Sequence, residues 1–259
     1  MTDYEDILVD RADAVLTLTI NREKAGNKLR SQTCLELSDA LQRFRLDPAL
    51  RAAILTGAGE KFFCIGGEHD ETTSLDQSQV IPIIDVYQAI DTIPKPVIAA
   101  VNGFAVGGGN VLANVCDLTV AAEHAVFRQV GPMVGSFDAG YGTWYLEDSI
   151  GRKRAKEMWY LNRKYSAADA LARGLVNEVV PAADLMDAAR AMAREITGRS
   201  PLAIGALKGA FSARHNGVSG QARMAHDQHL TLYLTTAEAH ETGAAFGERR
   251  APDPERFWR

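Results

Sequence analysis

Cysteine is scarce in this chain. Cys34, Cys64 and Cys116 are an odd number and form no CxxC pair. A disulfide framework, a structural zinc site and any other metal centre are therefore not expected, and a reducing cytoplasm is the expected setting. Long apolar runs are also missing. None approaches the roughly 20 residues that a membrane helix requires. The stretch MTDYEDILVDR is acidic and lacks the apolar centre of a secretory leader. A soluble, cytoplasmic protein with no membrane partner is the expectation. Positive charge is in deficit: 28 Lys and Arg against 33 Asp and Glu leave a net charge of −5. Nucleic acid is thereby disfavoured as a partner, because phosphate backbones need a basic face. An anionic small molecule is not, since it needs only a few local cations. No G-x-G-x-x-G joins a strand to a helix, and no P-loop motif occurs.

What is present is ordinary globular material. The 259 residues are 46% hydrophobic and 24% charged, enough for a sizeable core. Strands are predicted at 14–20, where Ala14-Val15-Leu16-Thr17-Leu18-Thr19-Ile20 is rich in β-branched residues, and at 51–56, 97–101 and 118–122. Helices are predicted at 33–44, at 80–93 before Pro94 and Pro96, and from Gly107 through Val115. After about residue 140 helices dominate: 153–160, 167–172, 185–197, 202–213 and a long one over 219–245, with one strand at 176–180. The fold class is α/β with a helical C-terminal part.

Two glycine turns stand out. One is Cys64-Ile65-Gly66-Gly67-Glu68. The other is Gly107-Gly108-Gly109-Asn110, between a strand and a helix. Glycine lets the backbone approach a ligand closely, and a helix N-terminus carries unpaired N–H groups. Together the turns can aim two N–H groups at one developing oxyanion. Such turns also occur where helices merely pack on sheets, and on spacing alone both readings stand.

The two turns, with VIAAVNGFAVGGG and CDLTVAA, resemble the crotonase (enoyl-CoA hydratase/isomerase) superfamily over nearly the whole chain. The resemblance implies a crotonase-like spiral of ββα units at 1–195 and a helical C-terminal trimerisation region at 196–259. It implies an acyl-CoA substrate and a homotrimer or dimer of trimers. The thioester oxygen would sit between the N–H groups of Gly67 and Gly108. Coenzyme A would enter as part of the substrate, with no tightly bound cofactor, and Lys24, Lys28, Arg30, Ile65, Gly66 and Tyr233 would contact it. A solvated basic run explains the cations equally well.

Hydratases of this family carry two glutamates whose positions here are Val111 and Gly131. Water addition to a double bond needs an acid and a base, which valine and glycine do not supply. The stretch 129–142, QVGPMVGSFDAGYG, is similar instead to two neighbouring branches. These are 2-ketocyclohexanecarboxyl-CoA hydrolase, which opens a ring, and 1,4-dihydroxy-2-naphthoyl-CoA synthase, which closes one. Asn110-Val111-Leu112-Ala113 and Tyr141-Gly142-Thr143 lean toward the ring-opening branch. By position, Ser136 and Asp138 would handle the ring oxygen and its proton; both are also common turn residues. Gly131 with Gln129 and Trp159 implies a bicarbonate site, although Trp159 equally suits plain core packing. One departure is at the C-terminus. Both branches place a tyrosine four residues before the glutamate matching Glu238, and here that position is Leu234, with Tyr233 about 100° away on a helix. A hydratase or isomerase with other acid–base residues, and a non-catalytic acyl-CoA binder, are the remaining alternatives.

Overall fold

The computed structural model describes residues 4–68, 81–134, 136–137, 140–224, 230–253 and 255–257. Strands β1 (Ile7–Ala12) and β2 (Val15–Ile20) form an antiparallel hairpin. Its two-residue loop begins at Asp13, which adopts φ 54, a conformation that short polar residues tolerate best after glycine. β1 was not predicted. Its Asp10 and Arg11 break the apolar pattern, as suits an edge strand. A 16-residue helix α1 (Ser31–Leu46) covers the sheet and buries Leu37, Leu41 and Phe44 at helical spacing. The strand β3 (Ala52–Gly57) is buried along its whole length, as a parallel strand covered on both faces should be.

From there the chain alternates between two sheets. β3 is followed by the short β4 (Phe62–Cys64) and by helix α2 (Ile83–Thr92). Next come β5 (Val97–Val101), β6 (Phe104–Val106) and α3 (Gly108–Val115). They are followed by β7 (Leu118–Ala122), β8 (Val126–Arg128), α4 (Gly142–Ile150) and α5 (Arg152–Leu161). In the large sheet β3, β5 and β7 lie side by side and parallel, while β4, β6 and β8 do the same in the small one. Each turn of chain thus advances one strand in both sheets, giving the expected spiral of ββα units. The two-residue strand β9 (Tyr165–Ser166) closes the small sheet antiparallel to β8. Helix α6 (Ala167–Arg173) follows, with Ser166 as a capping-box residue, and β10 (Glu178–Val180) completes the large sheet beside β7.

Helix α7 (Leu185–Thr197) covers the other face of the large sheet, packing Leu185, Ala189 and Ala193 on Ala52, Ile54, Ile98 and Val120. Helix α8 (Pro201–Met224) is interrupted at Gly217, whose φ 53 and ψ −138 are not helical. The single helix predicted over 219–245 is not what forms. A short turn, α9 (Thr231–Tyr233), is separated from α10 (Ala237–Gly247) by Thr236, which is extended and accepts the Ala239 N–H on its hydroxyl. That is an N-cap, and it starts a new helix where an unbroken one was expected.

Helix α8 docks with polar residues inward. Gly205 lies against Pro94. Lys208, 7% exposed, donates to the Asp117 carboxylate at 2.6 Å and to the Lys95 carbonyl at 3.1 Å. Ser212 donates to Asp91 at 2.8 Å, and His215 contacts Asp148 at 2.5 Å. Positions 205, 208, 212 and 215 fall on one helical stripe. Leu207 and Phe211 face outward, Phe211 being 81% exposed. Among the described residues no helix is long and apolar enough to cross a membrane.

Candidate active site

The two glycine turns meet. Strand β4 delivers Gly66 with φ +95, and β6 delivers Gly107 with φ +55, backbone conformations that a side chain would strain. A Cβ placed on Gly66 would lie 3.2 Å from the Gly108 nitrogen, and one on Gly108 would lie 3.4 Å from the Gly66 Cα. A Cβ on Gly109 would overlap the Cys64 carbonyl oxygen. Gly66, Gly108 and Gly109 are therefore set by close main-chain approach, and Gly107 by its φ.

The hydrogen bonds around these turns leave two donors over. A parallel bridge joins Leu29 to Gly67. It spends the Gly66 carbonyl on the Leu29 N–H and the Glu68 N–H on the Leu29 carbonyl, both at 2.9 Å. The Gly67 N–H between them donates to no backbone carbonyl of the described residues. Gly108 opens α3, and the first N–H groups of a helix have no partner within it. Gly67 and Gly108 thus present N–H groups from adjacent turns, one at the positive end of a helix. Ile81 Cδ1 and Ile83 Cδ1 border them, 3.4 Å and 3.1 Å from the Cβ positions of Gly67 and Gly108. Such walls keep water away and strengthen hydrogen bonds to a developing charge.

The segment expected to meet coenzyme A is held by Asn27. This residue is fully buried at φ 52; its side chain accepts the Arg22 N–H and donates to the carbonyls of Ala58 and Phe62. Ile65 docks there too, donating its N–H to the Gly26 carbonyl at 3.3 Å. Lys24 is exposed and Lys28 half-buried, and neither forms an ion pair among the described residues. Arg30 is arranged differently. Its guanidinium makes two bonds to Asp6, at 2.8 and 2.7 Å, and one to Glu5 at 2.6 Å. Burial alone would raise the Asp6 carboxyl. Hydrogen bonds from Arg30 and Thr33, with the charges of Arg30 and Arg22, outweigh it and hold the group below its ordinary value. Arg30 is thus committed to anchoring the start of α1. Nothing in the sequence near Arg30 announces Asp6 as its partner, 24 residues away.

Val111 is buried in the core on α3. Gly131 begins a 3-10 turn whose carbonyl accepts the Ser136 N–H at 2.8 Å. Ser136 is exposed, and its hydroxyl donates to the Phe137 carbonyl at 3.4 Å. Asp138 lies outside the described residues. Tyr233 and Leu234 are both exposed, on and just after the turn α9, and the extended Thr236 separates them from Glu238 in α10, so the two segments do not share one helical register.

The residues of the expected bicarbonate site do not fit an anion as they stand. A Cβ on Gly131 would lie 3.0 Å from the Phe137 Cα, so main chain fills that space. The Trp159 indole N–H donates to the Gly142 carbonyl at 3.4 Å. Gln129 is buried with an unpaired Oε1, while its amide NH2 is still a donor, so the misfit lies at Gly131 and Trp159. Cys64 beside the turns is buried, and burial pushes its thiol up to about 12, so it is not a nucleophile near neutral pH. Among the described residues no cluster of His, Cys, Asp and Glu could hold a metal ion.

Sequence reasoning missed Tyr87. This fully buried residue of α2 donates its hydroxyl to the Gly108 carbonyl at 2.8 Å. A buried aromatic on an amphipathic helix reads as core, and no local pattern distinguishes it.

Known proteins resemble the chain over nearly its whole length. The family model described as enoyl-CoA hydratase/isomerase matches residues 10–256. An enoyl-CoA hydratase from Bacillus anthracis is 33% identical, with 96% of this chain and 98% of that one covered and a TM-score of 0.77. An enoyl-CoA hydratase from a Polaromonas species is 31% identical, over 95% and 98%, with a TM-score of 0.77. A probable enoyl-CoA hydratase/isomerase from Mycobacterium abscessus is 30% identical, over 96% and 98%, with a TM-score of 0.75.

Proposed function

Since the chain belongs to the enoyl-CoA hydratase/isomerase family, we propose that it breaks a carbon–carbon bond alpha to a thioester, by hydrolytic ring cleavage of a cyclic β-keto acyl-CoA. One observation carries this reading. The Gly67 N–H donates to no backbone carbonyl of the described residues and the Gly108 N–H heads α3, in turns packed against each other, while Val111 and Gly131 supply no carboxylate for water addition to a double bond. A site that holds an enolate but lacks that acid–base pair suits reactions whose other partner brings its own electrophile.

In the proposed direction, hydroxide adds to the ring ketone. The bond from that carbon to the α-carbon breaks, and its electron pair moves into the thioester enolate. The N–H groups of Gly67 and Gly108 hold the enolate oxygen; one such donor is worth about 2.7–4 kcal/mol in other enzymes. A proton then returns to the α-carbon, leaving an open-chain acyl-CoA with a new carboxylate, one water heavier. Ser136 and Asp138 serve the ring oxygen and its proton. Lys24, Lys28, Ile65 and Gly66 serve the coenzyme A portion, with Tyr233 from a neighbouring subunit. No step passes through bicarbonate. Ring closure of the naphthoyl-CoA synthase type uses the same enolate in reverse order.

A homotrimer or dimer of trimers accompanies this proposal. The outward apolar residues Leu207, Phe211 and Phe246 support it, Phe246 being 87% exposed.

The test is incubation with 2-ketocyclohexanecarboxyl-CoA, with o-succinylbenzoyl-CoA and with crotonyl-CoA, each with and without bicarbonate. Turnover of the first is expected. Turnover of the second alone would reverse the direction, and fast hydration of crotonyl-CoA would favour an unconventional hydratase. Turnover of neither 2-ketocyclohexanecarboxyl-CoA nor o-succinylbenzoyl-CoA would refute both named substrates.

A further inference from the structure

We infer that Tyr87 is a positioning residue for the oxyanion site, fixing the Gly108 donor through a hydrogen bond to the carbonyl of the same residue. The inference rests on the enolate reading above. Gly108 stands between Gly107 and Gly109, and three successive glycines have the greatest main-chain freedom available. A donor that stabilises developing charge must be held in place beforehand. Something outside the triplet has to supply the restraint.

Tyr87 is placed to do so. Its hydroxyl donates to the Gly108 carbonyl at 2.8 Å. Helix geometry already assigns that carbonyl to the N–H four residues on, so the phenol adds a second donor rather than satisfying an orphan. A Cβ on Gly108 would lie 3.1 Å from the Tyr87 Oη and 3.1 Å from Ile83 Cδ1. Two side chains of α2 therefore close on the Gly108 Cα. The phenol is itself held: its ring meets Tyr141 at 6.0 Å between centroids, and Tyr141 meets Tyr145 at 5.3 Å. Tyr145 in turn donates to Asp91, on the last turn of α2, at 2.5 Å. The restraint thus runs from α4 through α2 to the first residue of α3.

A buried tyrosine also needs a hydrogen-bond partner for its own sake, and the experiment separates the two roles. Acetoacetyl-CoA loses its C2 proton to solvent on enolisation, and the enolate absorbs in the near ultraviolet, so its absorbance when bound reads the oxyanion site without turnover. The wild-type protein is expected to show a bound enolate band. Tyr87→Phe is expected to lower the bound enolate-to-keto ratio about ten-fold, less than loss of a direct donor, with affinity for free coenzyme A unchanged. Site-specific 3-fluorotyrosine at position 87, a stronger donor of nearly the same shape, is expected to raise the ratio. A wild-type band that persists undiminished in Tyr87→Phe overturns the inference. If Tyr87→Phe fails to fold, an unchanged ratio in the fluorotyrosine protein overturns it. Absence of the band in the wild type sinks the enolate reading itself.

Discussion

The glycine turns and helix α8 solve opposite problems. Around the turns, apolar residues point inward and main chain packs on main chain: Gly109 against Cys64, and Gly66 against Gly108. On α8, the inward stripe is Lys208, Ser212 and His215, and the apolar Leu207 and Phe211 look out. The first region is stabilised by burial that the chain completes alone. The second is oriented by charge and hydrogen bonds, and its apolar residues Leu207 and Phe211 are exposed. The core of the spiral is thus closed by its own residues, whereas α8 keeps these two exposed.

The comparison can be broken at the core first. Gly109→Ala puts a methyl group into the Cys64 carbonyl. The expected loss exceeds the usual 1–3 kcal/mol or so of an overpacked core, because the obstructing atom is main chain. Chemical unfolding, or failure to recover folded protein, reads it. Next comes the clasp. Lys208→Ala strands Asp117, which also accepts the Val97 N–H at 2.7 Å. A loss of about 2–3 kcal/mol is expected, below the full value for a buried pair because a quarter of the Asp117 side chain meets solvent. Combining Lys208→Met with Asp117→Asn should recover part of it, since the amide oxygen still accepts from Val97.

A pH titration sharpens the contrast further. The Asp6 carboxyl is held below its ordinary value of 3.8. The folded state therefore binds its proton less readily than the unfolded chain does. Its stabilisation is fully present well above pH 4 and is lost as pH falls through the lowered value. Asp6→Asn should lower the melting temperature at pH 7, and the gap from wild type should shrink progressively below pH 4. The smallest effect on the single chain is at the outward face. Phe211→Ser should change unfolding of the dilute chain by no more than about 0.5 kcal/mol, yet light scattering should show a smaller assembled mass. An unchanged mass would remove α8 from the subunit contact.

Much of this was legible in the sequence where the signal was long. The runs read as strands at 51–56, 97–101 and 118–122 became β3, shifted by one residue, β5 and β7, because buried parallel strands leave no polar alternation to misread. Three-residue strands such as β4 and β6 are too short for any period to register. The break at Thr236 was carried by a single capping hydroxyl, which an average over the long helix conceals. Within the site, the glycines declared themselves by clustering. Arg30 and Tyr87 did not, since the partner that defines each is distant in sequence: Asp6 for one and the Gly108 carbonyl for the other.

Gly131 has a consequence for the engineering of this protein. The main chain at 136–137 occupies the volume that a side chain at 131 would need, with the Phe137 Cα 3.0 Å and the Ser136 carbonyl oxygen 3.2 Å from a Cβ placed there. A side chain at 131 requires the loop to give way first, so engineering a carboxylate there starts at Ser136 and Phe137 rather than at position 131 alone.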